Sequence, residues 1–166
     1  METPLQYKTR ILALMEGKEP IAVQAVTYRR VAALVHEASP DALRTRPAVD
    51  RWSVAEILAH VAEAEIVSTW RYRQMLEHNG CPLPGYGQDL WANLGQYASR
   101  DPRESLESFR LLRETNLHMF KRLSPEQWQC HGVHAERGPM TVRDLAAQIA
   151  GHDLNHVTQI TSILSK

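Results

Sequence analysis

Cysteine is scarce in this sequence, in which Cys81 and Cys130 are the two cysteines among 166 residues. Two cysteines are too few to build a disulfide-stabilised scaffold. An excess of positive charge is absent as well, because 19 lysine and arginine residues balance 19 aspartate and glutamate residues. A dedicated nucleic-acid-binding protein usually carries a basic excess that contacts phosphates, so we expect no nucleic-acid partner. A formal charge near zero also permits self-association.

Long apolar runs are missing too. No run approaches the roughly 18 residues that a transmembrane helix needs, and the segment METPLQYKTR at the start lacks the apolar core of a secretory signal. We therefore expect a cytoplasmic protein with no membrane partner. Phosphate-binding glycine loops and the GxSxG motif of α/β-hydrolases are also absent, which argues against those two enzyme classes.

Four stretches of the sequence have apolar residues at helical spacing, whereas signals for β-strands are nearly absent. The predicted helices cover residues 21–38, 53–78, 102–123 and 141–165, and a short extra helix is expected within 7–16. Two of these starts carry capping-box spacing, since Ser53 precedes Glu56 and Thr141 precedes Asp144. Four amphipathic helices of this length predict an all-α protein, a four-helix bundle that forms a single domain over residues 1–166.

The connection between the second and third helices, residues 79–100, is long for neighbouring antiparallel helices. Its length permits a crossover, so the bundle need not run up-down-up-down. Long ordered loops in compact domains are often functional, and this one contains Asp89 and Trp91 among prolines and glycines. We expect the loop to cover one end of a pocket, with Trp91 as a loop anchor rather than a platform for substrate.

Three of the eight histidines interrupt apolar helix faces. In the segment HDLNH, His152 and His156 are four residues apart and so project from the same face of one helix. His60 interrupts the apolar stripe of a different helix. Imidazoles on two such helices can bind one metal ion at about 2.0–2.1 Å, although burial with hydrogen bonds is the common alternative. Because one shared ion accounts for all three positions, we predict a divalent metal site formed by His60, His152 and His156.

Other candidate ligands are less well placed. Cys130, His131 and His134 lie close together in sequence, but their spacing matches no zinc-finger pattern well. His134 is instead expected to line the mouth of the pocket, and it is one candidate for a fourth ligand. A carboxylate near His60 could come from its own helix, although a solvated position is the simpler expectation for Glu63. The acidic candidates on that helix are Glu56, Glu63 and Glu65.

The segment WSVAEILAHVAEAE, together with GHDLNHVTQI near the end, resembles the DinB/YfiT-like superfamily of metalloenzymes. The segments ILALMEGKEP and GYGQDLWA are similar to one bacterial branch of that family, so the resemblance covers nearly the whole chain. It implies a four-helix bundle with up-down-down-up topology, often assembled as a homodimer. It also implies one nickel, zinc, iron or manganese ion held by three histidines, which here correspond to His60, His152 and His156.

Some members of that family transfer low-molecular-weight thiols such as bacillithiol or mycothiol, which implies a thiol as a second cofactor. Three protein ligands leave coordination positions open, as in catalytic metal sites. We therefore expect a metal-dependent enzyme acting on a small-molecule substrate, either as a thiol-dependent S-transferase or as a hydrolase. The alternative is a non-catalytic bundle whose metal ion has a structural or sensory role. Zinc and nickel both suit imidazole, so ligand chemistry does not choose between them.

Overall fold

The computed structural model describes residues 3–165, and the first two residues and the last residue of the predicted domain lie outside that range. The four longest helices confirm the predicted all-α bundle, with bounds within three residues of the predicted ones. In chain order the elements are α1 (Pro4–Ala13), α2 (Pro20–Glu37), α3 (Pro40–Arg44), α4 (Val54–Glu77), β1 (Cys81–Leu83), α5 (Gln88–Leu94), α6 (Pro102–Phe120), α7 (Pro125–Gln129), β2 (His131–His134), β3 (Gly138–Thr141) and α8 (Val142–Leu164).

Side chains at the helix starts explain why the long helices begin where they do. Ser53 accepts a hydrogen bond from the backbone N–H of Glu56, whose side chain accepts one in return from the Ser53 backbone. Thr141 and Asp144 form the same reciprocal pair at the start of α8. Each such cap stabilises its helix by about 0.5–2 kcal/mol. None of the helices formed by residues 3–165 has the length and apolarity needed to cross a membrane.

The four long helices form a square in which α4 contacts α6 and α8, and α2 contacts the same two helices from the opposite corner. α4 and α6 run parallel. Glu65 pairs with Arg113 near the middle of both helices, and Tyr72 packs edge-on against Phe120 near their ends. Two parallel neighbours need a long connection, and this is the role of the segment that contains β1 and α5.

α8 runs antiparallel to α4 and parallel to α2. His60, near the start of α4, meets His156 in the second half of α8, whereas Leu145 at the start of α8 shares a hydrophobic cluster with Tyr72. α2 and α8 meet near their starts, where the Gln24 side chain donates to a backbone carbonyl of α8, and their last turns line a common groove. The order of directions is therefore up-down-down-up, as the family resemblance implied.

The hydrophobic core consists of two clusters that lie toward opposite ends of the bundle. The first is formed mainly by Val31, Val35, Leu43, Val54, Ile57, Leu58, Val61, Ala62, Leu106, Phe109, Val157 and Ile160. The second is formed mainly by Tyr72, Met75, Cys81, Leu83, Phe120, Met140, Val142, Leu145 and Ala146. On each long helix, buried polar residues separate the two clusters along the sequence.

This polar layer is centred on Arg113, whose side chain is 2% exposed. Its guanidinium donates to both carboxylate oxygens of Glu65 at 3.0 and 2.9 Å and to those of Asp153 at 2.6 and 3.1 Å. Asn116 donates to Glu65 at 2.8 Å, and the backbone carbonyl of Gln24 accepts from Arg113 at 3.2 Å. A buried ion network of this kind holds four helices in one register, and removing one charged partner costs about 3–5 kcal/mol.

A small sheet closes one end of the bundle, although signals for β-strands are nearly absent from the sequence. β1 pairs parallel to β2, and β2 pairs antiparallel to β3. The strands have three or four residues each, which is too short for an alternating pattern to stand out in sequence. At Gly132 a Cβ would lie 2.6 Å from the Leu83 side chain, so close strand packing requires glycine there.

Candidate metal centre

Three imidazoles converge between the first half of α4 and the second half of α8. The Nε2 atom of His60 lies 2.9 Å from Nε2 of His152, and the latter lies 3.1 Å from Nε2 of His156. Candidate ligand atoms of the three residues all lie within 4.8 Å of one another. Within residues 3–165 this is the one group of histidine, cysteine, aspartate or glutamate side chains placed closely enough to hold a metal ion. The three histidines selected from the sequence are thus neighbours in space.

The donor set fits a transition-metal ion. Two nitrogens bound at about 2.0–2.1 Å with a tetrahedral angle between them lie about 3.3 Å apart. The separations of 2.9 and 3.1 Å are close to that value. Helix geometry brings the three histidines together. His152 and His156 are four residues apart and share one face of α8, and His60 lies on α4, which runs antiparallel along that face. Neutral imidazole nitrogen is a ligand that suits zinc, nickel and iron.

Burial keeps these imidazoles neutral. It lowers the pKa of His60 to about 3, with a further contribution from His156, and it lowers the pKa of His156 itself to about 4. The pKa of His152 also falls well below its usual value, first through burial and then through its two imidazole neighbours. Metal ligation requires the neutral form of histidine, which has a lone pair on one nitrogen. At neutral pH all three rings are therefore in the form that ligates.

Neighbouring side chains fix the orientation of the rings. The Nδ1–H of His156 donates to Oε1 of Gln159 at 3.0 Å, about one turn further along α8. With its hydrogen on Nδ1, His156 keeps the Nε2 lone pair on the side of the other histidines. On the far side, Trp52 packs against His60 with ring centroids 5.1 Å apart, and Tyr97 contacts the same tryptophan. Gln159 was not selected from the sequence, although its spacing from His156 was available as a signal.

A cavity of about 150 Å³ lies beside the histidines, and His60 and His152 form part of its wall. Gly85 and Tyr86, from the long connection after α4, form another part of the wall. This confirms the expectation that the connection covers one end of a pocket. His134 also lines the cavity and is 2% exposed, as expected from its place ahead of α8, although it is not among the three clustered histidines.

The three glutamates of α4 that were candidate ligands have other partners. Glu56 caps α4 and pairs with an arginine. Glu63, expected to be solvated, is largely buried because it accepts hydrogen bonds from the Tyr97 hydroxyl at 2.6 Å and from Arg100 at 2.8 Å. Glu65 belongs to the polar layer. None of the three is part of the histidine cluster found within residues 3–165.

The long connection and the small sheet account for the remaining candidates. Asp89 lies in the first turn of α5 and lines a surface groove separate from the cavity. Trp91 packs against Tyr86 in a tilted geometry, with ring centroids 4.6 Å apart. Cys130 and His131 join no cluster of potential metal ligands among the described residues.

Sequence reasoning missed two arginines in the wall of the cavity, Arg71 and Arg137. Arginine on a helix or a turn is usually exposed, so neither residue stood out. A signal was nevertheless present for Arg71. It continues the stripe of His60, Ala64 and Val67 at spacings of three and four residues, and that stripe faces the cavity along its whole length.

Comparisons with known proteins agree with this geometry. The model of the DinB superfamily matches residues 25–160. The "putative metal-dependent hydrolase OB0413" of Oceanobacillus iheyensis is 22% identical over 143 residues, which make up 86% of this chain and 82% of that protein. YfiT from Bacillus subtilis, described as "a probable metal-dependent hydrolase with an unusual four-helix bundle topology", shares the fold with a TM-score of 0.81 at 19% identity, over 87% of this chain and 83% of that one. Because the family match spans most of the sequence, the chain belongs to the DinB superfamily.

Proposed function

We propose that this chain is a metal-dependent hydrolase of a small-molecule substrate, and that His60, His152 and His156 bind its single divalent transition-metal ion. The observation that carries the proposal is the convergence of three imidazole nitrogens at the wall of a cavity. The names of the two relatives support the same reaction class. We also propose that residues 1–166 form one domain, in line with a family match that runs from α2 to α8.

The number of ligands favours a reactive ion over a structural one. Structural zinc sites usually have a closed shell of four protein ligands, whereas catalytic sites have three and leave a position for water or substrate. Three candidate ligands are present among the described residues. Glu63 and Glu65 are engaged with arginines, so neither is free to complete the shell.

A bound divalent ion supplies Lewis-acid chemistry, since it polarises a carbonyl or phosphoryl oxygen and lowers the pKa of water. The protein positions the substrate and orients the metal ligands. His60 and His152 form part of the cavity wall, so a substrate in the cavity lies next to the ligands. Gln159 holds His156 in the tautomer that ligates through Nε2, and Trp52 supports the ring of His60. A volume of about 150 Å³ limits the enclosed part of the substrate to a small group.

Metal analysis of the purified protein after loading with zinc or nickel tests the ligands. We expect one ion per chain in the wild type and a loss of bound ion in His60→Ala and in His152→Ala. His118→Ala is the matched control, because His118 is exposed on α6 and lies outside the cluster. Full metal content in the first two variants would show that the ligands are wrongly assigned.

The reaction is tested with panels of small esters and amides, each assayed in the presence and absence of low-molecular-weight thiols. We expect metal-dependent cleavage that needs no thiol. Turnover of electrophiles that requires a thiol would replace hydrolysis by thiol transfer at the same ion. A metal-loaded structure with four protein ligands and no access from the cavity would refute the enzyme proposal and leave a structural site.

A further inference from the structure

Two arginines lie in the cavity wall without a carboxylate partner. Arg71 is 5% exposed, and its Nε atom is buried and has no hydrogen-bond partner. One of its terminal nitrogens donates to the Pro84 carbonyl at 2.6 Å. The Nε atom of Arg137, in the turn between β2 and β3, is likewise buried and unpaired. Both guanidiniums thus retain donors inside the protein.

This situation differs from that of other arginines in the described part of the chain. Arg46, Arg100 and Arg113 each pair with a glutamate or aspartate. The acidic residue in the described lining of the cavity is Glu136, which is exposed and forms an ion pair with neither Arg71 nor Arg137. Burying a charged group without a counter-charge costs several kcal/mol. An unpaired cation facing a cavity therefore indicates a site prepared for an anion.

A third donor of the cavity wall is His134. Its Nδ1 accepts a hydrogen bond from the backbone N–H of Glu136 at 3.2 Å, which leaves the hydrogen of the neutral ring on Nε2. Burial lowers the pKa of His134, and the charges of Arg71 and Arg137 lower it further. Burial also lowers the pKa of Arg71, and the positive charge of Arg137 lowers it further. The cavity thus contains two cations close enough to repel each other, which a bound anion would relieve.

The cavity also extends to the histidines. Arg71 lies eleven residues after His60 on α4, which is about three turns or about 16 Å along the axis. Both residues lie on the stripe of α4 that lines the cavity, and helical side chains lean back toward the N-terminus. An apolar cavity of about 150 Å³ is large enough for benzene, so the volume here suits a group of roughly six non-hydrogen atoms.

We propose that the substrate carries an anionic group, a carboxylate or a phosphate or phosphonate, which Arg71 and Arg137 bind through paired N–H donors while the scissile group lies at the histidines. The position of the scissile group at the histidines rests on the proposed function, whereas the binding of the anion by the arginines does not. The anion site itself depends on residues that the metal does not need. The planar fork of a guanidinium matches the geometry of carboxylate and phosphate, so donors left without a carboxylate partner suit an oxyanion.

The test is an NMR titration that follows the Nε–H resonances of the arginines in 15N-labelled protein, both zinc-loaded and metal-stripped. The probes are propionate, its neutral isostere propanamide, and methylphosphonate. We expect propionate or methylphosphonate to shift the Arg71 and Arg137 resonances in both forms, and propanamide to shift neither. The stronger of the two anions identifies the class of group. Equal responses to propionate and propanamide, or no response to any probe, would overturn the anion site.

Variants separate this site from the metal centre. Arg137→Gln, in the turn between β2 and β3, should weaken anion binding at least ten-fold while zinc content stays at one ion per chain. Arg71→Gln should do the same, and Arg71→Lys, which keeps the charge, should recover part of the affinity. Arg122→Gln is the matched control, since Arg122 is exposed in the turn that follows α6. Anion affinity unchanged in Arg137→Gln would refute the proposal.

His60→Ala distinguishes failure of the anion site from failure of the proposed metal-dependent function. If the variant loses zinc but still binds the anion through Arg71 and Arg137, the anion site is supported independently of the metal. If the anion binds only to zinc-loaded protein, with the same affinity in both arginine variants, it binds at the ion and the arginine site is refuted. If wild-type protein binds the anion but no zinc, the proposed function fails and the anion site stands.

Discussion

Gln159 offers a direct test of how the histidine cluster is organised. Its Oε1 accepts the Nδ1–H of His156 at 3.0 Å, and this bond keeps the Nε2 lone pair available to a metal ion. In Gln159→Leu the acceptor is lost at nearly constant volume. His156 can then take either tautomer and is free to rotate, so part of its population no longer presents Nε2. We expect the variant to fold normally and to bind metal more weakly.

Loss of a partner that orients a metal-binding histidine typically costs about 10- to 100-fold in affinity, which corresponds to about 1.4–2.7 kcal/mol. Because Gln159 is one of several groups that hold the cluster, we expect the lower part of that range. Competition with a chromophoric chelator measures the zinc affinity directly. Gln159→Glu should instead match or exceed the wild type, since a carboxylate is a stronger acceptor for the Nδ1–H.

Ser162→Ala is the matched control for this prediction, because Ser162 is exposed on α8 three residues beyond Gln159. It should leave the zinc affinity unchanged, and circular dichroism should show the same helix content in all variants. Zinc affinity in Gln159→Leu within two-fold of the wild type would refute the reasoning. In that case the orientation of His156 would be set by packing within α4 and α8 and not by the hydrogen bond.

Three further predictions concern stability. Arg113→Met should lower the free energy of unfolding in urea by about 3–5 kcal/mol. Burial raises the pKa of Asp153 whereas Arg113 lowers it, so the pKa of Asp153 rises further in the variant. A raised folded-state pKa destabilises the fold only above the unfolded value of about 3.9, so the loss should shrink as pH falls toward 4; equal losses at pH 4 and pH 8 would contradict this. Gly151→Ala places a Cβ 2.3 Å from the Ile11 carbonyl oxygen, and the shift of α1 should cost about 1–3 kcal/mol, seen as a lower Tm. Zinc at about 100 times its Kd should stabilise the wild type by about 2.7 kcal/mol and His152→Ala not at all, by calorimetry.

The long helices could be predicted because their signals are local. Apolar spacing identified the faces of α2, α4, α6 and α8, and capping residues such as Ser53 and Thr141 fixed two of the starts within one residue. The proximity of His60 to His152, 92 positions away, could also be anticipated, since both interrupt faces that a bundle must bury. The spacing of residues along a helix determines which of them enter the core.

Features that depend on distant partners could not be predicted in this way. β1 forms because β2 offers it a partner, and a segment of three residues carries no pattern of its own. Arg113 and Glu65 look like surface charges in sequence, and only the meeting of α4, α6 and α8 makes them core residues. Arg71 and Arg137 are similar, because their exposure depends on how the turn after β2 folds over α4.

The polar layer around Arg113 has a consequence for how this sequence can evolve. An all-apolar replacement of a buried ion network is often neutral or stabilising, but it requires several residues to change and no single mutation produces it. Losing Arg113 first leaves Glu65 and Asp153 buried without a cationic partner. Losing either carboxylate first leaves guanidinium donors of Arg113 unpaired, which is again the loss of one charged partner from a buried network. Each single replacement in the layer should therefore lower stability, which favours retention of the layer in descendants of this sequence.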